Sequence, residues 1–211
     1  MFYLIGGAPR VGKTTLAKKI SSDYNIPWIS VDTVESIILE YIPDDLKDDL
    51  FPKNKIRKET HDINDEMYSL FSTKQIVDAY IKQSKASWKA ISTFVKKEEQ
   101  YGHSYVIEGF QIHPELVIQL QNENPEATIK SIFVGRSDVK QIIANVLEFG
   151  GRNDWFTKKT INESTYQKIA EMIAEYSNFF KLAAEQLDLP FVNLDGDFWS
   201  QIGVVEGKML K

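Results

Sequence analysis

Short apolar runs alternate along the chain with longer segments whose apolar residues recur every three or four positions. Runs of the first kind suit buried parallel strands, and the second spacing is typical of helices that pack on one face. The predicted strands are residues 2–5, 26–31, 104–109, 129–134 and 191–194. The predicted helices open at residues 16–20 and continue with 33–41, 62–99 as two helices broken near Ser72 and Thr73, 114–121, 138–149, 166–187 and one that begins near Asp197. Strands that alternate with helices predict an α/β fold, with a parallel sheet and helices on both of its faces.

Two segments interrupt this alternation. Residues 42–60 are polar and charged and contain two prolines, a pattern that predicts a mobile insertion within one domain of residues 1–211. Together with the residues that follow, the insertion is expected to form the substrate side of a site, over about residues 42–75. The pair Gly150-Gly151 can act as a hinge, so a lid is predicted over about residues 136–160.

Composition narrows the class of protein. The chain has 211 residues, of which 43% are hydrophobic and 26% are charged, as is ordinary for a globular domain. Its formal net charge of −5 argues against nucleic-acid binding, which needs a basic face. It has no cysteine, so neither a disulfide nor a thiolate metal site is expected. It has no apolar stretch of about 18 residues, the length of a membrane-spanning helix. The first strand starts too early to leave room for a signal peptide. We therefore expect a cytoplasmic protein without a membrane or nucleic-acid partner.

Residues 7–14 match the pattern G-x-x-x-x-G-K-[ST] without a mismatch. Glycines let such a loop fold back so that its N–H groups point at phosphate oxygens. The lysine contacts the β- and γ-phosphates, and the threonine hydroxyl binds Mg²⁺. The loop lies between a predicted strand and a predicted helix, as this function requires. Nucleotide contacts are predicted for Gly7, Ala8, Pro9, Arg10, Val11, Gly12, Lys13, Thr14 and Thr15, with Lys13 also catalytic and Thr14 also a Mg²⁺ ligand.

Polar residues follow several of the predicted strands, and ligands of parallel α/β sheets bind at the carboxyl ends of strands. Asp32 follows the second strand and can orient or deprotonate an acceptor hydroxyl; its alternative role is to cap the next helix. Glu108 ends the third strand and can bind Mg²⁺ through a water, or contact the substrate; its alternative is a solvated strand end. Arg136 and Asp195 follow the fourth and fifth strands, so all four residues are expected along one edge of the sheet.

Only four of the 25 basic residues are arginines, and each lies in a loop or at a loop edge. Arginine offers a planar bidentate donor that lysine lacks, so these positions are candidates for phosphate contacts. Arg136 and Arg152 flank most of the predicted lid and would bring positive charge to the transition state; a solvated helix connection is the alternative. Arg57 lies among three lysines of the predicted insertion, where the cluster either binds an anionic acceptor or forms a solvated face.

These motifs resemble the P-loop small-molecule kinases of the nucleoside-monophosphate-kinase-like group, and within it the 2-phosphoglycerate kinase-like and uridine kinase-like proteins. The matching residues are 6–15, 29–32, 106–109 and 180–194. The resemblance implies a three-layer P-loop fold with strand order 2-3-1-4-5 and a lid between the fourth strand and the last long helix. It also implies that Arg136 packs on adenine or reaches phosphate, and that the loop at Asp195 lines the other side of adenine.

The function that these residues and the resemblance predict is transfer of the γ-phosphate of Mg-ATP to a hydroxyl, or a phosphate, of a small metabolite. An acceptor that already carries a phosphate would suit the charges around Arg57. Two alternatives stay open: a nucleotide-binding switch or ATPase that acts on a protein partner, and a toxin-type kinase that phosphorylates a nucleotide sugar. The sequence does not specify the acceptor, the oligomeric state or a preference between ATP and GTP.

Overall fold

Five parallel strands form one sheet in the order β2-β3-β1-β4-β5. The computed structural model describes residues 1–150 and 154–209 of the chain. All four strand pairings are parallel, which confirms the predicted α/β class and the strand order that the resemblance implied. The strands are β1 Phe2–Gly7, β2 Trp28–Ser30, β3 Tyr105–Gly109, β4 Ile129–Gly135 and β5 Phe191–Asn193.

Strand β1 lies at the centre of the sheet, where Phe2 pairs with Tyr105 on one side and with Ile129 on the other. All six of its residues are buried. A strand that is covered on both faces has no solvent side, so it reads as a continuous apolar run rather than as an alternating one. The apolar run that precedes the phosphate-loop motif in the chain could therefore be predicted as a buried strand.

Helices flank the sheet and connect its strands. The longest helix, α11 (Glu163–Gln186), packs against β4 and against four other helices, and apolar and aromatic side chains fill these contacts. No helix in the described ranges is long and apolar enough to cross a membrane. The helices are α1 Lys13–Tyr24, α2 Val31–Tyr41, α3 Asp44–Leu50, α4 Pro52–Glu59, α5 Asn64–Leu70, α6 Thr73–Ser84, α7 Trp88–Gln100, α8 Pro114–Glu123, α9 Val139–Phe149, α10 Trp155–Lys158, α11 Glu163–Gln186 and α12 Phe198–Met209.

The polar segment 42–60 forms two short helices, α3 and α4. Its two prolines stand at helix starts, because Pro43 precedes α3 and Pro52 is the first residue of α4, where a proline lacks no needed N–H group. Phe51 between the helices is buried and anchors them to the rest of the molecule. The roles of this segment as a substrate-side insertion and of residues 136–160 as a lid stay predictions.

The predicted helical region 62–99 contains three helices rather than two. The break at Ser72 is confirmed, and Ser72 forms a capping box with Gln75 at the start of α6. A second break at Lys85–Ser87 was not predicted. There the Ser84 hydroxyl donates to the carbonyl oxygen of Ile81 at 2.7 Å, a local hydrogen bond that competes with continuation of the helix.

Candidate functional site

The loop between β1 and α1 folds back on itself as the glycine pattern requires. Gly7 and Gly12 have φ angles of 148° and 108°, which L side chains rarely adopt. A Cβ atom on Gly12 would lie 2.6 Å from the Phe198 ring of α12, so the loop also needs glycine there for space. Arg10 adopts a left-handed conformation with a φ of 63°, which completes the curl. The loop thus has the cradle shape that suits a phosphate group.

Lys13 is the first residue of α1, and its side chain is buried inside this loop. Its Nζ atom donates to the carbonyl oxygen of Ala8 at 2.7 Å. Burial lowers the pKa of Lys13 below its usual value, although the carboxylates of Glu108 and Asp32 act in the opposite direction. The nearby carboxylates therefore partly offset the cost of burying the Lys13 charge at the centre of the loop.

Thr14 and Glu108 form an oxygen pair at the end of β3. The Thr14 hydroxyl donates to Glu108 Oε1 at 3.1 Å, and the Glu108 carboxylate is buried. The alternative of a solvated strand end is therefore wrong for Glu108. The described residues contain no cluster of three or more histidines, cysteines or carboxylates placed to bind a metal ion. Mg²⁺ usually takes only one or two protein oxygens and completes its shell with phosphates and water, so a hydroxyl and a carboxylate fit this ion.

Asp32 lies in the first turn of α2 instead of at the end of a strand. Strand β2 ends at Ser30, which is the N-cap residue of the helix, so the alternative role of Asp32 as the cap is wrong. Its Oδ1 atom accepts a hydrogen bond from Gln111 Nε2 at 2.9 Å. The same nitrogen donates to Glu35 Oε2 at 3.0 Å, so one buried amide orients two carboxylates.

Gln111 was not predicted as part of the site, and neither was Glu35. Glu35 stands three residues after Asp32 on α2, a spacing that places both carboxylates on one face of a helix and that could have signalled the pair. Glu35 Oε1 accepts from Gln83 of α6 at 2.7 Å and lies 3.5 Å from Lys53 Nζ of α4. Three helices therefore meet at this buried carboxylate.

Two hydrogen bonds hold the loop that carries Gln111, one to the carbonyl group of Gln111 and one to that of Phe110. The indole of Trp88 donates to the Gln111 carbonyl oxygen at 3.0 Å, and the Tyr176 hydroxyl donates to the Phe110 carbonyl oxygen at 3.3 Å. His113 Nε2 lies 2.9 Å from the Tyr176 hydroxyl, and burial lowers the pKa of His113 to about 3. A neutral imidazole thus supports this contact, and the position of Gln111 is fixed.

A cavity of about 600 Å³ adjoins the phosphate loop. It joins Pro9 of the loop with Asp32 and Arg57, two of the residues predicted to contact a substrate, whereas Glu108 and Arg136 are not part of its wall. The full wall comprises Pro9, Asp32, Glu35, Ser36, Lys53, Asn54, Arg57, Lys58, His61, Asp62, Tyr80, Phe110, Trp155 and Lys159.

An ion pair between Arg10 and Asp154 connects the phosphate loop to the residues around α10. Asp154 is buried, and its other oxygen accepts from the Phe156 N–H at 2.9 Å, which caps α10. Asp154 was not predicted as a site residue, because nothing near it in the chain indicates an arginine partner. Arg152 lies outside the described residues.

Asn64, the first residue of α5, joins the α4–α5 segment to the α10 segment. Its side-chain oxygen accepts from Arg57 Nη1 at 2.5 Å, and its Nδ2 donates to the Trp155 carbonyl oxygen and to Thr160 Oγ1, each at 2.8 Å. The Asn64 backbone N–H donates to the Lys159 carbonyl oxygen at 2.8 Å. One buried amide therefore fixes a cavity-lining arginine and two sides of the cavity wall.

Replacing Asn64 with alanine is expected to lower the free energy of unfolding by about 2–4 kcal/mol, because buried hydrogen-bonding groups of several partners lose their contact. Urea denaturation measures this difference. Asn122 on the exposed side of α8 is the matched control, and Asn122→Ala should change stability by at most about 0.5 kcal/mol. Equal stability of the two variants would contradict the structural role of Asn64.

Arg136 and Asp195 lie on the other side of the phosphate loop. Arg136 is buried, its guanidinium lies 5.7 Å from the centre of the Phe198 ring, and burial lowers its pKa. Asp195 accepts from the Ser137 N–H at 2.9 Å and from its hydroxyl at 2.6 Å. Burial alone would raise the pKa of Asp195, but hydrogen bonds led by those of Ser137 outweigh it and lower that pKa. The strand ends β4 and β5 are thereby tied together.

The comparisons with known proteins concern the fold. No protein-family model and no curated protein matches the chain. An unliganded sugar kinase from Janibacter sp. HTCC2649 superposes with a TM-score of 0.54 at 11% identity, over 98% of this chain and 92% of that chain. A gluconokinase from Sinorhizobium meliloti 1021 superposes with a TM-score of 0.50 at 12% identity, over 99% and 90%. At these identities the likeness establishes a shared α/β architecture over nearly the whole chain.

Proposed function

We propose that this chain is an ATP- and Mg²⁺-dependent phosphotransferase that acts on a hydroxyl of a small metabolite. The observation that carries the proposal is the position of the cavity, whose wall contains both Pro9 of the phosphate loop and the carboxylate-bearing Asp32. A γ-phosphate held in the loop would face an acceptor held in the cavity. Both solved structures described above are named as kinases, which supports the same function.

Each residue near the loop has a role in this proposal. Lys13 binds the β- and γ-phosphates, and its burial strengthens the charge contact because few water molecules screen it. Thr14 and Glu108 would hold Mg²⁺, which neutralises phosphate charge when it is bound. Asp32 orients the acceptor hydroxyl and takes its proton, and Gln111 keeps the Asp32 carboxylate in place.

The remaining parts of the proposal concern the nucleotide base and the lid. Arg136 lies beside Phe198, and Asp195 is hydrogen-bonded to the neighbouring Ser137, on the side of the loop where the resemblance implies adenine. Residues 136–160 would close over the nucleotide and bring Arg136 and Arg152 to the transferred group. Membership of the 2-phosphoglycerate kinase-like or uridine kinase-like proteins, and residence in the cytoplasm, belong to this proposal as well.

The test is ADP release from Mg-ATP across a panel of acceptors: 2-phosphoglycerate, nucleosides, nucleoside monophosphates, sugars, sugar acids and nucleotide sugars. We expect release that depends on one class of acceptor. A nucleotide sugar as the sole active class would favour the toxin-type kinase. Slow release that no acceptor changes would contradict the proposal and favour a switch or ATPase with a protein partner.

A further inference from the structure

We infer that the acceptor carries an anionic group, a carboxylate or a phosphate, that binds between Arg57, Lys58 and Lys159. This inference rests on the proposed function and names the class of its second substrate. Three observations support it. Helix α4 presents some of its basic residues to the cavity and others to solvent. The basic residues at the Arg57 end of the cavity are not fully paired with carboxylates, and two separate segments of the chain form that end.

The basic residues of helix α4 point in two directions, some towards the cavity and one towards solvent. Lys53, Arg57 and Lys58 line the cavity, whereas Lys55 is exposed and is not part of the cavity wall. Lys53 and Arg57 are four residues apart and share one side of the helix. Lys58 stands four residues after Asn54, which also lines the cavity. The side of α4 that faces the cavity is therefore basic, and the solvated-face alternative holds for Lys55.

The charges at this end of the cavity are not balanced. The Arg57 side chain is only 16% exposed, donates to the neutral amide of Asn64, and has the Asp62 carboxylate at 3.8 Å. Asp62 also contacts Lys159, so one carboxylate serves two cations. Among the described residues no carboxylate lies within 4.0 Å of the Lys58 ammonium. Asp44 acts on Lys58 from beyond that distance. The three cations thus have one contacting carboxylate between them, which leaves positive charge that an anion would neutralise.

Two segments of the chain build this end together. Arg57 and Lys58 come from α4, and Lys159 and Trp155 come from the residues around α10. The Arg57 guanidinium lies 5.2 Å from the centre of the Trp155 ring, within cation–π distance, and its N–H groups can donate to an anion. Burial lowers the pKa of Lys159, and nearby Arg57 adds to that effect, as expected of two cations held close together.

The position of this end also limits the size of the acceptor. Lys53 marks the part of the cavity near Glu35 and Asp32, since its Nζ lies 3.5 Å from Glu35. Arg57 stands four residues further along α4, a rise of about 6 Å. Asp32 and Arg57 line the same cavity of about 600 Å³, a volume that suits a small hydroxy acid or a small phosphorylated alcohol.

Titration of the full chain with inorganic phosphate and with acetate, followed by the ¹H–¹⁵N signals of the tryptophan indoles, tests this inference. The chain has four tryptophans, and Trp155→Phe identifies the signal that matters. We expect a saturable shift of the Trp155 signal that persists in Lys13→Ala, because that variant removes only anion binding at the phosphate loop. The stronger of the two anions indicates whether the acceptor carries phosphate or carboxylate.

Variants of α4 separate a specific site from a general charge effect. Arg57→Gln should weaken the anion by at least about tenfold. Lys58→Gln, at an exposed position, should weaken it several-fold while the fold stays unchanged. Lys55→Gln on the other side of the helix should have no effect. A Trp155 signal that neither anion moves, or that moves equally in all three variants, overturns the inference. If acceptor-dependent ADP release persists in that case, the proposed function stands without it.

Discussion

Lys13→Ala is expected to abolish phosphoryl transfer while the protein stays folded. The residue supplies the one lysine of the phosphate loop, and the charge on the transferred phosphate has to be neutralised for the reaction to proceed. Loss of such a preorganised contact lowers turnover by at least about 10²–10³-fold. The alanine side chain leaves the backbone conformation of α1 possible, so thermal unfolding should remain cooperative.

The matched control is Lys18→Ala on the same helix. Lys18 is exposed and lies 5.4 Å from the centre of the Trp28 ring, away from the loop. It should retain the activity of the unchanged protein. Normal turnover of Lys13→Ala would refute the assignment of residues 7–14 as a phosphate-binding loop, and equal loss in both variants would point to a general effect on folding.

Asp32→Asn is expected to lower transfer by roughly 10²–10⁴-fold, the usual scale for loss of a general base. The change keeps the size of the side chain and removes its charge. Gln111 can still donate to the remaining side-chain oxygen of the asparagine, so we expect no large change in stability. ATP binding, measured by calorimetry, should stay close to that of the unchanged protein, because Asp32 faces the acceptor cavity.

Glu40→Gln gives the control for charge removal on α2, since Glu40 is exposed and is not part of the cavity wall. Its transfer rate should not change. If Asp32→Asn keeps full transfer but melts at a lower temperature, Asp32 has a structural role only, and the acceptor hydroxyl must be oriented by another group.

The central features of this protein could be predicted from the sequence because each depends on neighbouring residues. The phosphate loop is set by contiguous residues whose glycines adopt rare φ angles, and β1 is set by a continuous apolar run. The alternation of strands and helices then restricts the topology strongly. The five strands and their α/β arrangement are therefore predictable from the sequence alone.

Other residues could not be predicted because their partners are distant in the chain. Gln111 meets Asp32 across 79 positions, and Asn64 meets Trp155 across 91. No local pattern distinguishes a glutamine or an asparagine that will be buried in such a contact from one that stays in solvent. The Arg10–Asp154 pair is of the same kind, since only the folded chain brings the two charges together.

The boundary of α2 shows a third kind of limit. The apolar run at 26–31 suggested a strand up to Val31, but the helix begins at that residue and carries Asp32 with it. A single apolar residue at a junction is compatible with both elements, so tertiary packing decides. Val31 is buried, and a Cβ atom on Gly109 would lie 2.9 Å from it, which shows how closely the helix start approaches β3.

The central position of β1 has a consequence for how the chain folds during synthesis. Its two partners, β3 and β4, follow it by more than 100 residues, because Phe2 pairs with Tyr105 and Ile129. A ribosome that adds residues one by one therefore exposes the apolar β1 segment well before either neighbour exists. Non-local pairing of this kind slows folding and leaves apolar surface open to aggregation in the meantime. Production of the protein should accordingly benefit from slow synthesis at low temperature.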